Sequence, residues 1–262
     1  LSFISDYITK KIESGEKILS AFLTAGFPDK DNFVKLAVDV LNSGADLLEI
    51  GFPFSDPLAD GPIIQASSQT ALQQGITLNE TFKYAEAIRK ETDKPLILMG
   101  YANPVLNYGI DKFASDASNL GIAGVIIPDI PIEEYDNFFT SSFDNIDIIL
   151  LVTPTTSPER IKAIDEKSRG FVYCVSTSGT TGNFSKKAAD NLEFIKNTYS
   201  LVRKNKMLVG FGISNAADAK LYSAHSDGVI VGSAIIKSLM SQNGNYKETL
   251  RLISELKQVL RN

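Results

Sequence analysis

The chain has 262 residues, of which 44% are apolar and 22% charged, with a formal net charge of −5. That length and balance suit one domain spanning 1–262 with a full core, and the absence of a Lys/Arg block excludes the basic face that a nucleic-acid surface needs. The longest apolar stretch, 146–152, is broken by Asp147 and is far shorter than the roughly 20 residues of a membrane helix, while a single cysteine, Cys174, excludes an intrachain disulfide and suits a cytoplasmic protein.

In chain order, Phe3, Ile4, Tyr7, Ile8 and Ile12 fall at helical spacing and predict an N-terminal amphipathic helix that covers one end of the fold. The opening residues, with Asp6 close behind them, do not read as a signal peptide. Eight β-rich apolar runs follow, beginning near Ile18, Asp46, Pro95, Ile122, Ile146, Gly170, Met207 and Ser226, with helical stretches between them. Alternating strand and helix patterns predict a parallel sheet, and continuously apolar strands predict burial on both faces, so the expected fold is α/β, a (β/α)8 TIM barrel. Asp31 is expected to cap the helix that carries Phe33, Ala37, Val40 and Leu41, and Gly44 to stop it. The gaps after the second and sixth runs are the long ones, which places extended βα loops at the face where barrels gather their chemistry. At the C-terminus Leu250, Ile253, Leu256 and Leu260 share a helical face, with Lys257 and Arg261 near the negative end of the helix dipole.

The second run places Glu49 inside an apolar strand just before that face. A buried carboxylate without a cation has its pKa raised by desolvation, the condition for donating and accepting a proton near neutral pH. Salt-bridging to a neighbouring strand is the other role for such a residue, and the eight runs contain no Lys or Arg to play the partner. The loop 53–62 that follows contains three prolines together with Asp56 and Asp60. Two roles are open to Asp60: a second reacting carboxylate, or a cap for the helix beginning near Ile63. Asp56 reads as a structural or interface residue. Three glycine-rich turns follow the late runs, around Gly182, Gly212 and Gly232-Ser233. They predict a phosphate site of backbone N–H groups and a helix N-terminus, at the position where barrels bind phosphate. His225 falls at the start of the last run, on the stability face. Cys174 has no neighbouring histidine, and neither a metal cluster nor a dinucleotide fingerprint is visible.

With these residues in hand, the stretch LEIGFPFSDPLADGP at 48–62 resembles the signature of the tryptophan synthase α-subunit family. So do LSAFLTAGFPD at the first run, GYANPVLNYG from Gly100, PDIPIEE from Pro128, YCVSTSGTTG from Tyr173, GFGIS and VGSA, in the family's order along the whole chain. The resemblance implies retro-aldol cleavage of indole-3-glycerol phosphate to indole and glyceraldehyde 3-phosphate. It implies that Glu49 moves protons at indole C3 and the glycerol hydroxyl, that Asp60 binds the indole N–H, and that Tyr173 holds Glu49 or substrate. It further implies phosphate binding by Gly182, Gly212, Gly232 and Ser233, an indole slot of Phe22, Ile64, Met99, Ile126 and Phe211, and closure through Thr181. The chain carries Thr177 and Thr180 where many relatives carry an Arg and a Val. Pro53, Phe54, Asp56, Pro57, Asn103, Pro104, Asp129, Ile130 and Pro131 are then the expected docking rim for a β subunit, as an α2β2 heterotetramer. Pyridoxal phosphate is expected only in that partner, with no cofactor in this chain. The rival readings are another phosphate-binding barrel, a stand-alone indoleglycerol-phosphate lyase, and a non-catalytic barrel that only activates a partner.

Overall fold

A computed structural model describes residues 2–176, 184–242 and 244–261. Nine parallel strands form its sheet: β1 (Ile18–Thr24), β2 (Leu47–Gly51), β3 (Leu96–Met99), β4 (Gly124–Ile126), β5 (Asp147–Ile148), β6 (Leu150–Val152), β7 (Phe171–Val175), β8 (Lys206–Gly210) and β9 (Gly228–Val231). Their order is β5-β4-β3-β2-β1-β9-β8-β7-β6. The sheet therefore closes through the chain itself, because β5 and β6 are the two halves of the fifth run.

The split is the departure from eight strands, and it has a local cause. β5 pairs with β4 and β6 pairs with β7, so the run changes neighbours at Ile149. Ile149 still donates its N–H to Val125 O, while Leu150 N–H turns to the Ser168 hydroxyl. The barrel is a parallel α/β barrel as expected, with one strand position shared between two partners.

Alternation along the strands sorts the core into two layers. Leu19, Ala21, Leu23, Leu48, Ile50 and Leu98 pack outward against the helices. Ile18, Leu47, Ile97, Ile126, Phe171, Leu208 and Ile230 fill the barrel interior. The N-terminal helix Phe3–Glu13 adds Ile4 and Ile8, both 0% exposed, to that interior cluster, so it plugs the end at which the strands begin. Its N-cap Ser2 accepts the Ser5 N–H, satisfying one of the helix's free donors.

Several helix details differ from the sequence reading. The helix Phe33–Asn42 is preceded by Asn32, which makes no side-chain cap, and Asp31 only donates its own N–H to Asp29. The Asp29 carboxylate, which also receives the Asn32 amide, organises that turn instead. The long gap after β2 holds both the loop and two helices, Pro62–Gln73 and Leu78–Arg89. Lys257, on the helix Lys247–Val259, is not a solvated charge at a helix end: it is 3% exposed and pairs with Asp46 at 2.7 Å. Lys206, opening β8, is a strand lysine that the sequence pattern placed outside the run.

Candidate active site

The C-terminal ends of the strands surround a cavity that Glu49, Asp60 and Tyr173 all line. Glu49 arrives from β2, where its Cα lies in register with Phe22 of β1 and Ile97 of β3. It is 0% exposed, and its pKa is pushed up from 4.5 to about 7 by desolvation, opposed by one hydrogen bond from the Ser20 hydroxyl. Ser20 Oγ stands 2.7 Å from Oε1; among the described residues Oε2 has no hydrogen-bond partner. The group is thus poised between its two protonation states at neutral pH.

Asp60 stands on the loop after β2 and does not cap the next helix. That helix, Pro62–Gln73, has Gly61 at its N-cap and no side-chain cap bond. The Asp60 carboxylate instead accepts the Tyr101 hydroxyl at 2.9 Å, and Tyr101 in turn accepts the Ala59 N–H at 3.0 Å. Burial raises the Asp60 pKa against this hydrogen bond. The loop itself is pinned from the helix: the Ser68 hydroxyl accepts the Phe54 N–H and donates to the Phe54 carbonyl.

Tyr173 is buried on β7, and burial, then the nearby Glu49 and Asp60 carboxylates, hold its phenol strongly protonated. It makes no hydrogen bond to Glu49 among the described contacts; Ser20 occupies that role. Its ring lies over Gly210, where any Cβ would sit 2.3 Å from the Tyr173 hydroxyl, so glycine is required there for the ring to reach the cavity. Phe211 follows in a left-handed conformation at φ 73°, uncommon for a bulky residue, and its carbonyl is held by the Ser176 hydroxyl at 2.6 Å. This places the Phe211 ring at the cavity mouth, 6.4 Å from the Tyr173 ring.

Of the apolar wall expected from the sequence, Phe22, Ile64, Met99 and Phe211 line the cavity. Ile126 does not: in register with Met99 but 0% exposed, it is packed into the barrel interior, and Ile213 and Ile230 complete the wall. Gly212, Gly232 and Ser233 line the same cavity, and Ser233 opens the helix Ser233–Met240, so the ends of β8 and β9 and a helix N-terminus border it. Gly182, Thr181, Thr177 and Thr180 lie outside the described residues.

The proposed rim is uneven. Pro53 is buried, Phe54 packs on Tyr101 with ring centres 5.5 Å apart, and the Asp129 carboxylate is engaged by the Ala102 N–H at 3.0 and 3.2 Å. Asp56, Asn103 and Pro131 are exposed, while Pro57, Pro104 and Ile130 are half-buried. Leu58, at 93% exposure, and Leu106, at 54%, are exposed apolar side chains outside that set. Among the described residues no group of three or more His, Cys, Asp or Glu side chains is placed to hold a metal, and no helix is long and apolar enough to cross a membrane.

Sequence and structure comparisons agree with this picture. Residues 8–262 match the family model described as Tryptophan synthase alpha chain. The chain is 43% identical over 252 residues to the tryptophan synthase alpha chain of Petrotoga mobilis, covering 95% of each protein. It is 42% identical over 239 residues to that of Christiangramia forsetii, covering 90% of this chain and 93% of that one. A solved tryptophan synthase from Mycobacterium tuberculosis superposes with a TM-score of 0.89 at 34% identity, covering 100% of this chain and 99% of that chain.

Proposed function

Because the chain belongs to the tryptophan synthase alpha chain family, whose reaction is the cleavage of indole-3-glycerol phosphate to indole and glyceraldehyde 3-phosphate, we propose that Glu49 and Asp60 carry that lyase reaction here. The observation that carries the reading is the pair itself: two carboxylates on one apolar-walled cavity, both raised by burial, neither with a described cation partner.

The chemistry follows from these positions. Protonated Glu49 gives its proton to indole C3, leaving a cation delocalised onto the ring nitrogen. The Asp60 carboxylate, held by Tyr101, stabilises charge that exists only along the reaction path, which is where binding energy raises rate. The Glu49 carboxylate then takes the proton of the glycerol hydroxyl; the C3–C bond breaks toward the cationic ring, and indole leaves as a neutral arene beside the new aldehyde. Glu49 ends protonated, as it began. Gly212, Gly232 and Ser233 serve the phosphate, an unreacting handle that orients the scissile bond. Phe22, Ile64, Met99 and Phe211 clasp the indole, and Tyr173 packs against the reacting carbon.

The indole passes to a β subunit, and pyridoxal phosphate belongs to that subunit. In this reading no Schiff base forms on the barrel strands of this chain: among the described strands the lone lysine, Lys206, stands at the start of β8, at the opposite pole from the cavity. The rim of Pro53, Phe54, Asp56, Pro57, Asn103, Pro104, Asp129, Ile130 and Pro131, with Leu58 added, docks that subunit in an α2β2 assembly of single-domain α chains in the cytoplasm.

Turnover of indole-3-glycerol phosphate by Glu49→Gln tests the chemistry. We expect a loss of at least about 10³-fold with binding of a substrate analogue within about tenfold, since the amide keeps size but exchanges no proton. Near-normal turnover removes Glu49 from the mechanism. Leu58→Asp tests the rim: the side chain is exposed in the free chain, so folding is untouched, and the rate gain from added β subunit should shrink about tenfold. An unchanged gain places the interface elsewhere.

A further inference from the structure

The interior of a barrel is a costly place for a hydroxyl, because an unbonded one forfeits its hydration. Among the described residues, other buried serines answer this by donating to backbone carbonyls, as Ser168 does to Phe171 O, Ser176 to Phe211 O, Ser226 to Gly228 O and Ser67 to Ile64 O. Ser20 is 0% exposed and does something else. It is an inward-facing residue of β1, between Ile18 and Phe22, and its hydroxyl reaches the Glu49 carboxylate on the adjacent strand.

We propose that Ser20 is a positioning residue for the proton transfer, holding Glu49 Oε1 as a fixed acceptor so that Oε2 is the one oxygen that gives and regains the proton. The inference rests on the reading of Glu49 as the acid/base group and deepens it. A serine hydroxyl has a single hydrogen, and the carboxylate is its described acceptor, so that hydrogen lies on the 2.7 Å line to Oε1. Placing the carboxyl proton on Oε1 as well would put two hydrogens between the same two oxygens. The proton therefore resides on Oε2, the oxygen with no hydrogen-bond partner among the described residues. When Oε2 protonates the indole carbon, the negative charge left behind is met at once by the Ser20 hydroxyl; when Oε2 takes the substrate hydroxyl's proton, the acid is restored. Ser20 keeps its own hydrogen throughout.

The same bond selects the protonation midpoint. A hydroxyl donates more strongly to a carboxylate than to a neutral acid, so it opposes the upward push of burial and keeps Glu49 able to ionise near neutral pH. Without it, Glu49 would hold its proton too tightly to release it to carbon.

An infrared titration of the substrate-free protein reads this directly, with the Glu49 carboxyl band identified by its disappearance in Glu49→Gln. Ser20→Ala should move the midpoint up by about one unit, lower kcat about tenfold with KM within about twofold, and shift the corresponding limb of the pH-rate profile in the same direction. Ser20→Thr, which keeps the hydroxyl, should titrate with the parent. A midpoint unchanged in Ser20→Ala, or Ser20→Thr titrating with the alanine variant, overturns the assignment; so does a loss of melting temperature with no movement of the midpoint, which marks a packing role. Because the midpoint is measured without turnover, its failure is distinct from the failure of Glu49 as the acid, which only the turnover of Glu49→Gln decides.

Discussion

Asp46 and Glu49 stand three residues apart, one just before β2 and one within it, and both are almost wholly buried, at 2% and 0% exposure. Asp46 faces the end of the barrel where strands begin. There it accepts the Leu19 N–H at 2.9 Å and the Lys257 ammonium at 2.7 Å, with Lys11 at 3.5 Å. Glu49, three residues further toward the other end, has a single serine hydroxyl. Burial is common to both; what separates a structural carboxylate from a reactive one is whether a cation was buried with it. The pole where Asp46 lies spends its charges on one another, tying the helix Lys247–Val259 to the strand ends. The pole with Glu49 leaves its charges for a substrate.

The largest test of this contrast is Lys257→Met. It strips Asp46 of its closest cation and should destabilise the fold by about 3–5 kcal/mol in urea melts at pH 7, because the remaining carboxylate is buried and undercompensated. Turnover per folded molecule should stay within about twofold. The double variant Asp46→Asn with Lys257→Met should recover most of the loss. A cost below about 1 kcal/mol in the single variant would mean that the pair is loose and the contrast with Glu49 shallow.

Glu49→Gln should do the reverse and stabilise the protein, with a definite pH signature. The folded pKa lies near 7 against 4.5 unfolded, so the stability associated with protonated Glu49 is whole below pH 4.5 and is lost as pH rises through 7. The glutamine variant has no such loss. Its advantage should open between pH 4.5 and 7 and level off at about 3 kcal/mol near pH 8. Parallel melting curves for variant and parent across that range would show that Glu49 is not raised by burial at all.

The smallest effect sharpens the comparison on the catalytic side. Tyr101→Phe deletes the hydroxyl that joins Asp60 to Ala59 N–H, and kcat/KM should fall about tenfold through misplacement of Asp60, with melting temperature within a few degrees of the parent. An unaltered kcat/KM would show that the loop places Asp60 without this anchor.

How much of this was legible in the residues varies with distance along the chain. Glu49 announces itself as one carboxylate in a strand of apolar neighbours. Ser20 sits in ILSAFLT as a polar interruption at an inward position, yet its meaning requires the β1–β2 register. The residues around Asp60 suit a cap and a reacting carboxylate alike, and the partner that decides, Tyr101, lies 41 residues on. Lys257 fits a helix-end charge by local pattern, whereas its partner Asp46 is 211 positions away. Ile126 has the composition of a pocket residue, yet it is wholly buried in the barrel interior and does not line the cavity.

The sequence by itself determined the alternation of strand and helix, the parallel barrel with its N-terminal plug, the face that carries the glycine turns, and the candidacy of Glu49, because each of these is encoded in spacings of a few residues. Tertiary structure alone decided that the fifth run splits between two neighbours, that Ser20 rather than Tyr173 holds Glu49, that Tyr101 holds Asp60, and that Lys257 is buried on Asp46. These are pairings across the closed barrel. Their geometry is set by strand register and closure, which bring together atoms whose separation in the chain leaves no local trace.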